Sequence, residues 1–376
     1  NFDAAMPDVY QLDSTETIPS PALIFFEELI DQNIRKMVEI AGGVDRLRPH
    51  CKTHKTVAIA RKLVAAGIDR HKSATIAEAE MLAEAGARDI FVAYNQVGPN
   101  LDRMARLVSA FPQVAFSVTA DHPHPLAELS RAMVRSGVSV GVVMDLDTGL
   151  GRTGISPGKD ASELYEMISS LPGLRPAGLH WYDGQHRQTE LFERKAAVEA
   201  GMQQLLKTRD QLLMNGFDVP HLIVGGTGSF PIHAGHQEPN LELSPGTVIL
   251  HDAGYKNSYP DLEFVPAAAV LTRVISRPSS HRATFDLGSK AIAADPPAGQ
   301  RCHFHATGEA REVLQNEEHL VLEFESESDL LPGDCKLVFP WHVCPTSALY
   351  DQALVVRQGK VVDQWAITAR NRKLTI

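Results

Sequence analysis

The feature that most constrains the fold of this chain is a regular alternation of short β-type runs and helical segments between residues 46 and 250. This alternation is typical of a parallel sheet, because parallel neighbours are joined by crossover connections that are usually helices. We count eight β-type runs in that span. Eight β/α units in one stretch of this length favour a closed (β/α)₈ barrel over an open doubly wound sheet.

The predicted elements of the barrel follow from apolar periodicity and from Gly and Pro stops. The strands are predicted at 46–52, 71–75, 89–94, 114–120, 138–147, 177–183, 221–226 and 241–250. Helices between them are predicted at 56–67, 77–85, 101–110, 126–136, 161–170 and 191–215.

After residue 255 the helical periodicity gives way to β-type runs, which indicates a second, β-rich domain. These runs lie at 264–275, 284–287, 320–325, 336–339, 354–357 and 361–366. A further β-type run at 20–26 precedes a helix at 27–41, and we expect this strand to join the β-rich domain. The predicted parts are an amino-terminal strand region (1–26), a cofactor-binding barrel (27–255) and a β-rich domain (256–376).

Composition limits the partners and the compartment. The chain of 376 residues is 44% hydrophobic and 22% charged, typical of a globular protein with a large core. A net charge of -10 argues against a nucleic-acid surface, which needs a basic face, and favours a small-molecule partner. Four cysteines without paired spacing, and no apolar run near membrane-spanning length, predict a cytoplasmic protein with no membrane partner.

Polar side chains gather where the predicted barrel strands end. The active site of such a barrel lies at the carboxyl ends of its strands. The candidates at these ends are Lys52, Ser73, Thr75, Tyr94, Asp145, Asp147, Arg152, His180, Tyr182 and two turns at 225–229 and 244–247. We therefore expect one rim of the barrel to carry the active site.

The stretch 48–55, Arg-Pro-His-Cys-Lys-Thr-His-Lys, contains the candidate nucleophile Lys52. A lysine amine that is partly buried or near another cation loses its proton readily and can attack a carbonyl to form an imine. Lys55 or a protonated His50 or His54 can supply that cation. The alternative is a solvated basic loop.

The run 225–229, Gly-Gly-Thr-Gly-Ser, has the composition of an anion cradle. Glycines let successive backbone N–H groups converge on a phosphate, and strands seven and eight form the usual phosphate site of such barrels. The alternative is a tight turn. A lysine and a phosphate cradle on one rim together indicate pyridoxal phosphate.

That cofactor also needs a protein group facing its pyridine nitrogen, and Arg152 can take this role. An arginine keeps its proton in proteins, so it would leave the ring nitrogen unprotonated. The alternative is an ordinary arginine in a glycine-rich loop.

The run 340–346, Pro-Trp-His-Val-Cys-Pro-Thr, follows a β-type run in the second domain. On a strand, residues two apart face the same side, so His342 and Cys344 can hold one metal together. Imidazole plus thiolate favours Zn²⁺, with Mn²⁺ or Mg²⁺ as alternatives, and leaves positions open for water or substrate. The alternative is a packed histidine beside a buried cysteine.

Taken together, the motifs resemble the D-threonine aldolase and D-serine dehydratase family, alanine-racemase-like pyridoxal-phosphate enzymes of fold type III. The resemblance runs over nearly the whole chain and is carried by the stretches 48–55, 74–80, 147–154, 180–184, 225–229, 244–247, 286–290 and 342–346. It implies a barrel with a β domain, a dimer, pyridoxal phosphate and a divalent metal beside the substrate hydroxyl.

The resemblance also implies the site residues. The catalytic residues would be Lys52, which forms the imine, and His342; the metal ligands would be His342 and Cys344. The cofactor-binding residues would be Lys52, Thr75, Arg152, Tyr182, Gly226, Thr227, Gly228, Gly246 and Thr247.

Two reactions occur in this family, and both start from a D-3-hydroxy amino acid. In the aldolase the substrate hydroxyl loses a proton and the Cα–Cβ bond breaks, which gives glycine and an aldehyde. In the dehydratase Lys52 removes the α-proton and the hydroxyl leaves, which gives ammonia and a 2-oxo acid.

The ligand pair resembles that of the dehydratases, whereas stretches 180–184 and 345–346 resemble the aldolases more closely. We predict a D-threonine aldolase-like lyase, with a D-serine or D-3-hydroxyaspartate dehydratase as the alternative. An amino-acid racemase and a non-catalytic pyridoxal-phosphate carrier are further alternatives. A carrier needs neither the β domain nor the His/Cys pair.

Overall fold

The computed structural model describes residues 9–376 and divides them into two compact units. The barrel unit consists of Met37–Lys52, Thr56–Gly246 and Asn371–Ile376. The β unit consists of residues 9–36, Thr53–Lys55 and Thr247–Arg370.

The first described elements are strand β1 (Ala22–Phe26) and helix α1 (Glu27–Ala41), whose bounds match the predicted helix. Glu27 and Glu28 occupy the first turn of α1, where negative charge interacts favourably with the positive end of the helix dipole. The boundary between the two units crosses α1 after Lys36.

Seven parallel strands form the sheet of the barrel unit, and their order in the sheet follows their order in the chain. The strands are β2 (Arg70–Ser73), β3 (Asp89–Asn95), β4 (Ala115–Ala120), β5 (Val140–Asp145), β6 (Leu174–Trp181), β7 (Leu222–Val224) and β8 (Leu241–Leu243). The helices of this unit are α2 (Val57–Ala65), α3 (Ile76–Glu84), α4 (Asn100–Ala110), α5 (Pro123–Arg135), α6 (Lys159–Ser170), α7 (Leu191–Met214) and α8 (Phe230–Ala234). The predicted β/α alternation is confirmed.

The predicted first barrel strand is a bridging segment, residues 47–51, rather than a regular strand. Leu47 pairs with Leu243 of β8 at one edge of the sheet, and His50 pairs with Lys72 of β2 at the other. Pro49, which has no N–H to donate, limits regular pairing in this segment. Because both edges of the seven-stranded sheet bind one segment, the sheet curls into a barrel, and Lys52 follows directly.

Buried ion pairs hold the bridging segment in place. Arg48 is almost fully buried and binds Glu242 of β8 and, at 2.8 Å, Asp89 at the start of β3. The same Glu242 carboxylate binds His221 at 2.9 Å and Arg70 at 3.1 Å. Burial disfavours the charge on Glu242, but Arg48 and His221 outweigh burial and lower the pKa of this carboxyl to about 2.

The β unit contains a nine-stranded sheet built on the long strand β9. Its remaining elements are α9 (Ala253–Ser258), β9 (Ala268–Ser279), β10 (Arg282–Phe285), β11 (Cys302–Phe304), β12 (Ala310–Gln315), β13 (Leu320–Phe324), β14 (Cys335–Pro340), α10 (Val343–Ala348), β15 (Gln352–Arg357) and β16 (Lys360–Ala366). Of the helices within residues 9–376, none combines the length and the apolar character needed to cross a bilayer.

Strand β1 is an interior strand of this sheet, although it is far from the other strands in sequence. Ile24 pairs antiparallel with Ala269 of β9 and parallel with Leu354 of β15. Its neighbour Phe25 is fully buried, so the strand contributes both hydrogen bonds and core packing. The sequence patterns missed β11 and β12, both of which lack the buried side chains of the central strands.

Replacing Glu242 by Gln is expected to lower the free energy of unfolding at pH 7 by about 3 kcal/mol, because Arg48 then remains charged and buried with one carboxylate fewer. The folded pKa of Glu242 is lowered to about 2, so its contribution is complete above the ordinary Glu pKa of about 4.3 and is lost as the pH falls towards about 2. Urea unfolding of both proteins over this pH range measures the difference. The control is Asp102→Asn, at an ion-pair carboxylate that is 71% exposed, and a Glu242→Gln protein as stable as this control would contradict the expectation.

Candidate active site

A cavity of about 510 Å³ lies at the carboxyl ends of the barrel strands. Its charged and aromatic lining consists of eight residues of the barrel unit: His50, Lys52, Lys72, Tyr94, Asp145, Arg152, His180 and Tyr182. All of these residues except Lys72 were candidates from the sequence.

Lys52 is presented to this cavity by the turn that follows the bridging segment. Its backbone N–H donates to Nδ1 of His50 at 3.2 Å, and its Nζ lies 5.8 Å from the centre of the Tyr182 ring. The second cation predicted near Lys52 is supplied by Lys72, whose Nζ lies 5.7 Å from the same ring centre. Of the three sequence candidates for this cation, His54 and Lys55 belong to the β unit, whereas His50 lines the cavity.

Lys72 forms a hydrogen-bonded chain with two other buried side chains. Its Nζ lies 2.8 Å from Nε2 of His180, and Nδ1 of His180 lies 2.7 Å from Oδ1 of Asp145. Burial and then the positive charge of Lys52 lower the pKa of Lys72 to about 7. Burial and then Lys72 lower the pKa of His180, whereas the His180 ring holds the pKa of Asp145 below its usual value in spite of burial.

The sequence did contain an indication that Lys72 is unusual. Strands of a parallel barrel are normally continuous apolar runs, whereas β2 reads Arg-His-Lys-Ser with its last three residues buried. A lysine in the interior of such a strand therefore needs a specific reason.

Arg152 adds a positive charge to the cavity and lies beside the Tyr182 ring. The Arg152 guanidinium carbon lies 4.8 Å from the centre of the Tyr182 ring, a cation–π distance. With Lys52 and Lys72, three cationic side chains surround one ring. This arrangement suits an anionic ligand.

The glycine turn at 225–229 lies against the other side of Tyr182. A Cβ atom at Gly226 would lie 3.0 Å from the Tyr182 ring, and Gly225 has a φ of +79°, so this close approach requires glycine. Gly226, Thr227 and Gly228 do not line the cavity themselves. Tyr182 touches both the cavity and the turn.

Asp183 anchors this turn. Its two carboxylate oxygens accept hydrogen bonds from Ser229 Oγ at 2.6 Å and from His233 Nε2 at 2.8 Å. Ser229 Oγ in turn accepts the Gly226 N–H at 3.2 Å. Burial acts to raise the pKa of Asp183, but His233 and Ser229 bring it below its usual value. The sequence patterns did not single out this anchor.

Three further predicted cofactor residues lie at different places. Thr75 caps helix α3 by accepting the Glu78 N–H at 3.0 Å, and it lines a separate cavity of about 200 Å³. Gly246 lies in the barrel unit, where a Cβ would be 3.0 Å from His50. Thr247 belongs to the β unit, with its Oγ1 3.5 Å from Cys344 Sγ.

The predicted metal pair meets by a different geometry from the one expected. Strand β14 ends at Pro340 and α10 begins at Val343, so His342 caps a short helix and Cys344 lies in its first turn. The assumption of a shared strand face was wrong, yet the two side chains lie close enough for Cys344 to raise the pKa of His342.

Asp295 completes the surroundings of this pair. Its Oδ2 lies 2.6 Å from Nδ1 of His342. Burial acts to lower the pKa of His342, but Cys344 and Asp295 outweigh it and raise the pKa to about 9. A carboxylate bound to one ring nitrogen is a usual partner of a metal-binding histidine. The donor set therefore fits a divalent metal.

A second group with metal-ligand chemistry occurs within the described residues. His50, Cys51 and Glu78 are all buried and place ligand atoms within 4.8 Å of one another, so a metal site is possible there. Protein hydrogen bonds already use this group, because Glu78 Oε2 accepts the Ala74 N–H at 2.5 Å and the Cys51 thiol at 3.6 Å. With Thr75, these bonds form a helix cap at the start of α3.

Comparison with known proteins identifies the family. Residues 27–252 match the model for the N-terminal domain of alanine racemase, and residues 267–356 match a putative serine dehydratase domain. A D-threonine aldolase from Arthrobacter sp is 32% identical over 98% of this chain and 97% of its own length. The chain belongs to the D-threonine aldolase and D-serine dehydratase family. The resemblance stated from the sequence is confirmed.

Both reaction types are represented among the relatives of this family member. The structure of a D-threonine aldolase from Filomicrobium marinum superposes with a TM-score of 0.87 at 31% identity, covering 94% of this chain and 96% of that one. A D-threo-3-hydroxyaspartate dehydratase from Delftia sp. (strain HT23) is 26% identical over 94% of this chain and 98% of its own. The predicted alanine-racemase-like fold is confirmed, and pyridoxal phosphate is the cofactor expected for it.

In this family member, replacing Asp183 by Asn is expected to loosen the glycine turn and to lower the free energy of unfolding by about 1–3 kcal/mol, since an amide cannot accept from both Ser229 and His233. Chemical unfolding at pH 7 measures the loss, and faster hydrogen exchange at residues 225–230 locates it. Because the pKa of Asp183 is lowered in the folded protein, the difference should diminish as the pH falls below the ordinary Asp pKa of about 4.

The matched control for this prediction is Ser229→Ala, which removes one of the two hydrogen bonds to Asp183 and leaves its pair with His233. Its effect should be smaller. An Asp183→Asn protein with the stability and exchange rates of the wild type would show that this carboxylate does not hold the turn.

Proposed function

We propose that this protein is a pyridoxal-phosphate-dependent, metal-assisted lyase that cleaves D-3-hydroxy amino acids to glycine and an aldehyde. The observation that carries the proposal is the meeting of Lys52, Arg152 and Tyr182 around one cavity of a family-typical barrel. The similarity to named D-threonine aldolases supports the aldol cleavage.

The residues of the cavity, with the glycine turn that contacts Tyr182, fit the cofactor group by group. Lys52 would hold the reactive carbon of the cofactor, Arg152 would face its pyridine nitrogen, and Tyr182 with Gly226–Gly228 would bind its phosphate. When bound, pyridoxal phosphate supplies a conjugated ring that takes up the electron pair released at Cα. Thr75, Gly246 and Thr247 remain predicted cofactor residues, and Thr75 lines the smaller cavity.

The charged side chains of the cavity would set the protonation of the cofactor ring and bind the anionic groups of the cofactor and the substrate. Arg152 keeps its proton and so leaves the ring nitrogen unprotonated, which moderates electron withdrawal. The cationic groups around Tyr182 attract the carboxylate of an amino-acid substrate as well as a phosphate. Of these groups Lys72 is buried, and burial strengthens its interactions relative to water.

His342 and Cys344 are the proposed metal ligands, with Asp295 as the group that orients His342. A divalent metal, Zn²⁺ by its affinity for imidazole and thiolate, or else Mn²⁺ or Mg²⁺, would supply Lewis acidity toward a substrate oxygen. The assignment rests on the donor set, in which the imidazole and the thiol already meet.

The second candidate is dehydration of D-serine or D-3-hydroxyaspartate. The observation that favours it is the cysteine in the metal pair, a feature of the dehydratase branch, and the similarity to a named dehydratase agrees with it. The two reactions differ in the proton that is removed, from the hydroxyl in the aldolase and from Cα in the dehydratase. A homodimer and a cytoplasmic location complete the proposal.

Purified holoenzyme is expected to absorb near the visible edge, and Lys52→Ala is expected to lose that absorbance and the lyase activity, because the amine that holds the cofactor is gone. Product analysis with D-threonine, D-serine and D-3-hydroxyaspartate then identifies the reaction. Glycine with an aldehyde supports the aldolase, whereas ammonia with a 2-oxo acid supports the dehydratase.

Two outcomes would contradict the proposal as a whole. Conversion of D-alanine to L-alanine in the presence of a strong chelator would indicate a racemase. A Lys52-dependent absorbance without turnover of any of these substrates would indicate a carrier.

Asp295→Asn is expected to weaken zinc binding by about 10–100-fold, because the carboxylate no longer orients His342. Cys344→Ser should lower the bound zinc further, since a ligand itself is lost. Competition with a chromophoric chelator measures both affinities, and the absorbance of the cofactor reports intact folding. The control is Cys335→Ser, which changes a cysteine outside the pair; zinc affinity equal in all three variants would refute the assignment of the ligands.

A further inference from the structure

Lys72 is a lysine in the interior of a parallel strand, a position that normally carries an apolar side chain. It is 3% exposed and lines the same cavity as Lys52. Burying an amine is unfavourable unless a partner compensates for it. The partner of Lys72 is an imidazole rather than a carboxylate.

The geometry fixes which nitrogen of His180 carries a proton. Nδ1 lies 2.7 Å from the Asp145 carboxylate, which can only accept, so Nδ1 must donate. Nε2 of the neutral ring is then an acceptor, and it accepts an N–H from Lys72 at 2.8 Å. One N–H of the amine is therefore bound to His180, and Lys72 also lines the cavity.

Charged groups from several elements act on this amine. Lys52 and Arg152 are cations that oppose a further positive charge on Lys72, whereas Asp145 and Asp183 favour it. His180 on β6 is neutral because burial and Lys72 lower its pKa. Together with burial, the balance brings the pKa of Lys72 to about 7, so both protonation states are accessible near neutral pH.

We propose that Lys72 is a catalytic base of the aldol cleavage, which accepts the proton of the substrate 3-hydroxyl while His180 and Asp145 act as positioning residues. This inference rests on the proposed function and adds a residue that the motifs did not reveal. The two lysines of the cavity would then have different roles. Lys52 would hold the cofactor, and Lys72 would act as the general base.

The proton that this step removes from the substrate is also the proton that it returns. The neutral amine of Lys72 takes the hydroxyl proton, the O–H electron pair becomes the second bond of the aldehyde carbonyl, and the Cα–Cβ bond breaks with its electron pair left on the Cα fragment. The resulting Lys72 ammonium donates to His180, and it holds the proton that Cα needs to become glycine. No external oxidant or reductant is required.

The first test measures the protonation of the Lys72 amine in the absence of any reaction. In the full-length holoenzyme labelled with ¹³C at lysine Cε, the resonance absent from Lys72→Met is that of Lys72, and its chemical shift is followed against pH. We expect a midpoint near pH 7, well below the ordinary lysine pKa of about 10.4. A Lys72 midpoint at that ordinary value would overturn the inference.

The second test is the pH dependence of kcat/KM for the cleaved D-3-hydroxy amino acid. Lys72→Met is expected to retain the cofactor absorbance, to lower kcat/KM by about 10²–10⁴-fold and to lose the acid limb near pH 7. The matched control is Lys195→Met, on the exposed face of α7, which should behave as wild type. An unchanged pH profile in Lys72→Met would mean that the lysine is only structural.

His180→Gln keeps the lysine and removes the imidazole, so it decides the question if Lys72→Met does not fold. The lysine Cε resonance that titrates near pH 7 in the wild type is then followed in His180→Gln, and its midpoint and the acid limb of kcat/KM should move by the same amount. Unequal movement would overturn the role of Lys72 as base.

The inference and the proposed function can fail separately. Glycine and aldehyde formed by the wild type, with an unaltered pH profile in Lys72→Met, would overturn only the role of Lys72. Ammonia and a 2-oxo acid as the sole products would overturn the aldol reaction and this base together, although the cofactor assignment to Lys52 would stand.

Discussion

The closure of the barrel by residues 47–51 is the constraint on which the candidate site depends. This segment binds both edges of the seven-stranded sheet, but Pro49 lacks an N–H and the pairing is short. Arg48 compensates with buried ion pairs to Glu242 and Asp89, which are strong only because their geometry is nearly fully satisfied. Since Lys52 follows the segment directly, its position in the cavity is set by this closure.

The cavity brings three basic side chains close together. Three basic side chains lie around the Tyr182 ring: Lys52, Lys72 and Arg152. In the contacts described above, none of them forms an ion pair with a carboxylate. Such a group is costly unless an anion joins it or one amine releases its proton. An anionic cofactor, the carboxylate of a substrate and a neutral Lys72 relieve the same charge, which links binding to proton transfer.

Patterns among neighbouring residues predicted the elements that depend only on neighbouring residues. Helix α1 was predicted with its observed bounds because its apolar spacing and acidic first turn coincide. The predicted strand 241–250 ends early, at Leu243, since Pro245 and a 3₁₀ turn at Thr247–Ile249 follow. His342 and Cys344 were expected on a strand, but a helix begins at Val343, and the pair meets through the helix cap instead.

The sequence by itself determined the β/α alternation and the family, and it singled out Lys52, Arg152 and the glycine turn as candidates, because each of these depends on neighbouring residues. The tertiary structure alone decided that Lys72 meets His180, 108 positions away, and that His180 meets Asp145. It also decided that Asp183 anchors the glycine turn. The physical reason is that such contacts depend on how a curled sheet brings strand ends together, and no periodicity within a single strand records its partners across the barrel.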